Sequence, residues 1–306
     1  MRRSRTSLQL GMPHTRFHSL GEAALLAHAG DLQWAALGES TGVPASRQRD
    51  ADGRPVYASF YYVEIGGFPR DGLAAFGPDD RVEIVSEVGR FGRSMMDGHH
   101  WLHRLDDPAG ELPDPAPPGP FLRLSNVLVA LGGGADDLRI ATPANADIER
   151  LPTLPAEPDS YKTVKLARAA GRFVDPPADA EPLWEGARRV DYEINPDRDV
   201  NGVGLLYFAN FVVFTDFAER RLLHADPRFS RFEIDRRVTV SRRIGYYGNA
   251  QPHDRLEIEC EAWRLPGGNL SFAHRVFRAS DGRLIAVSSV EKHLEGSPRD
   301  PQGRGR

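Results

Sequence analysis

One pattern constrains this chain more than any other: a helical segment followed by four strand-like segments, met before residue 132 and again after residue 186. In residues 19–37 the apolar positions Leu20, Ala24, Ala27, Leu32, Ala35 and Ala36 recur with a helical period, interrupted by Glu22, His28, Asp31 and Gln33. Ser19 is placed as N-cap, with Glu22 three residues on completing a capping box. Gly38 ends the helix or relaxes its last turn, and Gly30 allows a kink. The period then changes. Residues 55–65 alternate, with Val56, Ala58 and Phe60 on one face and Tyr57, Ser59 and Tyr61 on the other. Residues 81–88, 99–105 and 121–131 read as further strands. Six prolines in 106–120 mark a surface loop between the last two.

The second copy starts with a short strand at 190–194 and a turn at Asp199-Val200-Asn201-Gly202. Residues 205–223 are long and mostly apolar, which predicts a helix buried nearly all round. Strands are expected at 232–244, 256–263, 270–278 and 284–293. In the second of these, Leu256, Ile258, Cys260 and Ala262 alternate with Glu257, Glu259 and Glu261. Gly267-Gly268-Asn269 and Asp281-Gly282 suit hairpin turns. A buried helix ahead of an antiparallel sheet implies that the sheet wraps the helix, an α+β arrangement. Two such halves cover each other's open edges by packing as an internal pseudo-dimer. The expected units are 8–132 and 186–295, with order starting near Leu8. Residues 133–185 form a Gly- and Pro-rich linker carrying a short helix at 161–172, and 296–306 form a disordered tail.

Composition narrows function. Thirty-nine Lys and Arg against 43 Asp and Glu give a net charge of −4, which does not suit a general nucleic-acid binder. One cysteine excludes an intramolecular disulfide framework and a Cys-cluster metal site. No apolar run reaches membrane-spanning length, so no membrane partner is expected and the cytoplasm is the default location. His99-His100-x-x-His103 invites a metal reading, but a strand puts His100 opposite the other two and no carboxylate cluster completes a site. No metal is expected.

The stretch from Tyr192 through Asn195-Pro196-Asp197-Arg198-Asp199-Val200-Asn201-Gly202-Val203-Gly204 to Asn210-Phe211 resembles the start of a hot-dog unit, in which an Asn-Gly loop leads into the central helix. Gly11-Met12-Pro13-His14, Ser19-Leu20-Gly21-Glu22, Gly30-Asp31-Leu32-Gln33-Trp34 and Val56-Tyr57-Ala58-Ser59-Phe60 are similar to the bifunctional acyltransferase/decarboxylases of polyketide biosynthesis of the leinamycin type. The resemblance spans residues 10–295. It implies a double hot-dog fold, two tandem units each with a long antiparallel sheet wrapped round a central helix. It also implies loading of a malonyl or methylmalonyl unit from coenzyme A, its decarboxylation, and delivery of acetyl or propionyl to the phosphopantetheine of an acyl carrier protein. No tightly bound cofactor is implied. Tyr57 matches the family's catalytic tyrosine, with Tyr61 and Tyr62 nearby. Gln33 departs from the histidine expected in relatives.

Decarboxylation of a malonyl thioester makes an enolate, so donors must face the thioester oxygen. The loop before the second helix offers them: Asn201, Gly202, Val203 and, on the helix itself, Asn210. Tyr57 would carry the acyl group or donate a hydrogen bond. Nucleophilic use needs an activating partner, for which His14 is a candidate. Ser59 and Tyr61 are further candidates. Plain alternatives exist for each: strand packing for Tyr57, a turn for Asn201-Gly202, a buried hydrogen-bonded amide for Asn210. Cys260 reads as an inert core residue. Arg236-Arg237 and Arg242-Arg243 read as solvated strand positions or as contacts for coenzyme A phosphates. Two other functions compete. A thioesterase would use Asp199 or Asp216 to activate water; a dehydratase would need a His paired with a carboxylate. A non-catalytic acyl-carrier-binding module and a homodimer of the double unit also stay open.

Overall fold

The computed structural model describes residues 1–17, 19–105, 119–132 and 138–294. Twelve strands form one sheet. The first half supplies β1 (Arg2–Gln9), β2 (Val56–Gly66), β3 (Arg81–Phe91), β4 (Met95–Arg104), β5 (Phe121–Leu131) and β6 (Leu138–Ile140). The second supplies β7 (Glu181–Pro182), β8 (Arg188–Glu193), β9 (Arg237–Tyr246), β10 (Arg255–Arg264), β11 (Leu270–Arg278) and β12 (Arg283–Leu294). Spatial order is β1-β3-β4-β5-β2-β9-β12-β11-β10-β8, with β6 beside β5 and β7 beside β10. The halves meet where β2 and β9 pair antiparallel, from Tyr62 opposite Gly245 to Ile65 opposite Arg242.

Two helices lie on one face of this sheet. Helix α1 (Glu22–Thr41) buries Leu25, Leu26, Ala29, Gln33, Ala36 and Leu37. Helix α3 (Phe211–His224) buries Phe211, Val212, Phe214, Ala218, Leu222 and Leu223. One apolar core runs through both halves, joining Leu25 and Val63 to Phe214 and Ile258. A smaller core around Leu37, Val56, Met96 and Leu128 closes the far end of α1. A continuous core of this kind fits two units folding as one body rather than as beads on a linker.

The register shows the duplication residue by residue. Ser86 faces His100, which faces Leu122; Cys260 faces His274, which faces Ser288. The pairing of β2 slips between Phe60 and Tyr62, and that of β9 slips between Thr239 and Ser241, at the same place in each unit. The alternating burial expected for 256–263 is seen, with Leu256, Ile258, Cys260 and Ala262 buried.

Several expectations are corrected. Order begins before Leu8: Arg2–Gln9 forms the edge strand against β3, where only part of each residue needs burial and the apolar signal is correspondingly thin. The N-cap of α1 is Gly21, not Ser19. The Ser19 hydroxyl donates to Arg16 O, and Glu22 turns into the core to meet Arg242. The helix runs past Gly38 to Thr41 and ends at Gly42, whose φ of 73° suits a residue without a Cβ. The second central helix begins at Phe211 rather than 205, after a 3₁₀ turn at Phe208–Asn210. Residues 232–235 are helical rather than extended, because Ser230 and Glu233 form a capping box there. The linker carries α2 (Ser160–Ala170), which packs across the seam on the opposite face of the sheet. Ser160 Oγ lies 3.0 Å from the Tyr61 hydroxyl, and the Tyr247 hydroxyl donates to Val164 O. The 106–118 part of the proline loop, the Gly133-Gly134 part of the linker and the 296–306 tail lie outside the described residues.

Candidate active site

Because β2 pairs with β9 only from Tyr62 onward, its first residues have a free edge on that side. A cavity of about 490 Å³ opens along this edge, and residues from both faces of β2 line it: Tyr57, Ala58, Ser59 and Phe60. Gly30, Asp31 and Trp34 of α1 form one wall. The loop before α3, from Asn201 to Phe208, forms the other, and Tyr246, Gly248 and Asn249 close the floor. Phe60 and Phe208 stack with ring centroids 3.7 Å apart. Gly30 makes room for that stack, since a Cβ there would sit 2.9 Å from Phe208 Cζ.

The 201–205 loop holds its own shape. Asn201 Oδ1 accepts the Val203 N–H at 3.1 Å and the Leu205 N–H at 3.0 Å, and the Asn201 N–H donates to Leu205 O. Gly204 takes the positive φ that this turn needs. Asn249 ties the loop to the sheet, its Oδ1 accepting the Leu206 N–H at 2.9 Å. The Tyr246 hydroxyl donates to Phe208 O.

The structure thus brings together Tyr57, Ser59, Asn201, Gly202 and Val203 from opposite halves of the chain. The Val203 N–H is committed to Asn201 within the turn, while the Gly202 N–H has no partner among the described residues. Three candidates lie elsewhere. Asn210 gives its amide to Arg198 O at 2.7 Å, outside the cavity. Tyr61 is the bulged residue of β2 and faces α2 on the other side of the sheet. His14 accepts the Gly11 N–H through Nδ1, in the loop before α1, so it does not meet Tyr57 in this cavity. Tyr207 and Asn249 line the cavity and are not singled out by sequence, and Trp34 of the Gly30–Trp34 block lines it as well. Burial and the negative charge of Asp31 both raise the pKa of Tyr207, keeping its hydroxyl a donor.

The two carboxylates that the sequence offers for hydrolysis, Asp199 and Asp216, are held elsewhere, while Asp31 of α1 lines the cavity. Asp199 accepts from Tyr192, from the Asn195 N–H and from Arg198. Burial opposes its charge, but these three partners outweigh burial and hold the carboxyl below its usual range. Asp216 belongs to a buried ion cluster. Lys292 Nζ lies 2.6 Å from it and 2.7 Å from Glu219, and Arg242 bridges Asp216, Thr215 and Glu22. Arg242 is fully buried and Arg237 nearly so, which corrects the expectation of solvated strand positions. Cys260 is buried away from the cavity, and burial raises its thiol pKa well above the ordinary value.

A second cavity, of about 220 Å³, lies where the internal duplication repeats the first. It is lined by Pro13, Thr15, Arg16 and Ser19 of the loop before α1, by Asp216 and Arg220 of α3, and by Arg237 and Thr239 of β9.

A sheet wrapped round a central helix, made twice and joined edge to edge, defines a double hot-dog protein. The chain belongs to the LnmK N-terminal hot dog fold domain family, whose model matches residues 16–176. Solved structures share the fold across nearly the whole chain. An oleoyl thioesterase of Lactobacillus plantarum is 8% identical with a TM-score of 0.63, covering 97% of each chain. An acyl-ACP thioesterase of Bacteroides thetaiotaomicron is 10% identical with a TM-score of 0.54, covering 95% of this chain and 98% of that one. The 12:0-ACP thioesterase of Umbellularia californica is 13% identical with a TM-score of 0.53, covering 96% and 98%. At these identities the likeness is one of fold. A search of curated protein sequences gave no match. Among the described residues, no helix is long and apolar enough to cross a membrane.

Proposed function

We propose that the first cavity binds an acyl-coenzyme A thioester and that the protein is a decarboxylating acyltransferase, passing propionyl or acetyl from (methyl)malonyl-coenzyme A to an acyl carrier protein. The supporting observation is the make-up of the cavity. It is mostly apolar, it lies between the two units, and Tyr57 lines it beside the 201–208 loop. In such surroundings a substrate carboxylate is poorly hydrated, which favours its loss as CO₂. The electron pair of the broken C–C bond passes into the thioester as an enolate, which is then protonated at the α-carbon. Tyr57 is the proposed acyl acceptor. Its oxygen forms the ester as the coenzyme A thiol leaves, and the carrier's phosphopantetheine thiol later takes the acyl group and returns the phenol. The other cavity tyrosines suit this less: Tyr246 is bound to Phe208 O and Tyr207 is held as a donor.

In support of transfer over hydrolysis, Asp199 and Asp216 are committed to ion pairs outside the first cavity, so activation of water would fall to Asp31 alone. Arg49 is the one cation among the described residues lining it, and Asp31 the one carboxylate. The test is incubation with methylmalonyl-coenzyme A and a phosphopantetheinylated carrier protein, read by intact-protein mass spectrometry. Propionyl-carrier is the expected product. Free acid with an unloaded carrier would make the protein a thioesterase, and no turnover would remove both activities.

A further inference from the structure

Asn249 stands out among the polar groups of the first cavity. It is 8% exposed, and its side-chain nitrogen is buried with no hydrogen-bond partner. The orientation of the amide is fixed, because Oδ1 accepts the Leu206 N–H and only an oxygen can do so. Holding the 201–208 loop therefore uses the acceptor end alone. An aspartate would supply the same acceptor. The NH₂ group is surplus to that task, and an unmade hydrogen bond on a buried donor is costly. Asn249 belongs to the cavity lining with Tyr246 and Gly248.

We infer that Asn249 Nδ2 is the donor that receives the thioester carbonyl oxygen and stabilises the negative charge that develops there during decarboxylation and acyl transfer. This rests on the acyl-thioester reading of the cavity. A donor fixed before substrate arrives needs no reorganisation when charge appears, and in an apolar cavity it acts with little competition from solvent. The Val203 N–H is already bonded within its own turn, and the Gly202 N–H of the same loop is a backbone group left to donate beside Asn249. Asn249 thus links two tasks: one end shapes the loop and the other meets the substrate.

The test uses the full-length protein with propionyl-coenzyme A labelled with ¹³C at the carbonyl, and infrared difference spectra of the bound thioester. Donation from Asn249 lowers the carbonyl stretch of the bound thioester relative to free thioester. Asn249→Asp at pH 8 keeps the loop acceptor and removes the donor, so the lowering should vanish, with a melting temperature lowered by the buried charge but a folded chain. Transfer from methylmalonyl-coenzyme A should fall by about 100-fold or more. Turnover of this variant should recover as pH falls and the introduced carboxyl gains a proton to donate. Asn249→Ser, a neutral and shorter side chain, gives the same loss of the carbonyl shift should the aspartate unfold the protein. A bound thioester whose stretch is equally lowered in wild type and variants overturns the role of Asn249 and leaves the acyl-thioester reading standing. Failure of the wild type to bind propionyl-coenzyme A overturns both.

Discussion

The two cavities occupy matching places in the two units, yet their walls differ at every matched position that can be read from the register. Gln33 of α1 contacts His100 and Asn126; Glu219 of α3 contacts His274 and Lys292. These residues align the helices. Gly30 and Trp34 in the first cavity then match Asp216 and Arg220 in the second, and Ala58 and Phe60 match Arg237 and Thr239. One cavity is walled by small and aromatic groups and has room for a ligand. The other is crossed by an ion network that fixes α1, α3 and β9 to one another, since Glu22 reaches Arg242 and Thr239 across the seam. Duplication made two sites; substitution kept one open and made the other a clamp.

Breaking the clamp should have the largest effect on stability. Arg242→Met leaves Glu22 and Asp216 buried with one partner fewer, and should cost about 3–5 kcal/mol in urea unfolding. A cost under 1 kcal/mol would show that the second cavity is not what joins the units.

Acid should act on both halves through the matched histidines. His100 and His274 are fully buried, and burial lowers their pKa values to about 3 and about 4. In the unfolded chain each takes a proton near pH 6.5, so their contribution is whole above that pH and is lost as pH falls toward 4 and then 3. For His274 the loss comes to about 3 kcal/mol. His274→Gln should flatten part of that slope in the pH dependence of urea midpoints. An unchanged slope would mean that the histidine is not buried and neutral.

A smaller effect comes from giving the first half the second half's chemistry. Gln33 donates to Asn126 Oδ1 and to Leu124 O, and its Oε1 accepts from His100, whose other ring nitrogen meets Ser86 at 2.8 Å. Gln33→Glu brings an unpaired charge into that network, and Asn126→Lys added to it should recover about 1–2 kcal/mol. No recovery in the double-mutant cycle would deny that the two networks are equivalent.

What could be read in the sequence follows from how local each signal is. The strand at 256–263 was legible because its two faces meet different surroundings, core and charge, at every second residue. Tyr57, Ser59 and the 201–203 loop, which short motifs bring forward in the sequence, line one cavity in the structure. Arg242 was misread because its partners Glu22 and Asp216 are distant in sequence, and an arginine in an alternating strand carries no mark of burial. Asn249 and Tyr207 lie in segments without periodicity, and nothing local shows that a cavity forms between them and β2. His14 is a candidate partner of Tyr57 only because a nucleophilic tyrosine needs an activating group, and the loop before α1 that carries it runs to the second cavity.

The central claim is that one cavity does the chemistry and its counterpart does not. It is tested most directly by transfer rates, from methylmalonyl-coenzyme A to carrier protein, of two variants with the wild-type fold. Tyr57→Phe removes the hydroxyl in the first cavity; Arg220→Ala removes a charged group lining the second. Tyr57→Phe should lose at least about a thousandfold and Arg220→Ala should stay within about threefold of wild type. An active Tyr57→Phe, or an Arg220→Ala as inactive as Tyr57→Phe, would contradict the claim.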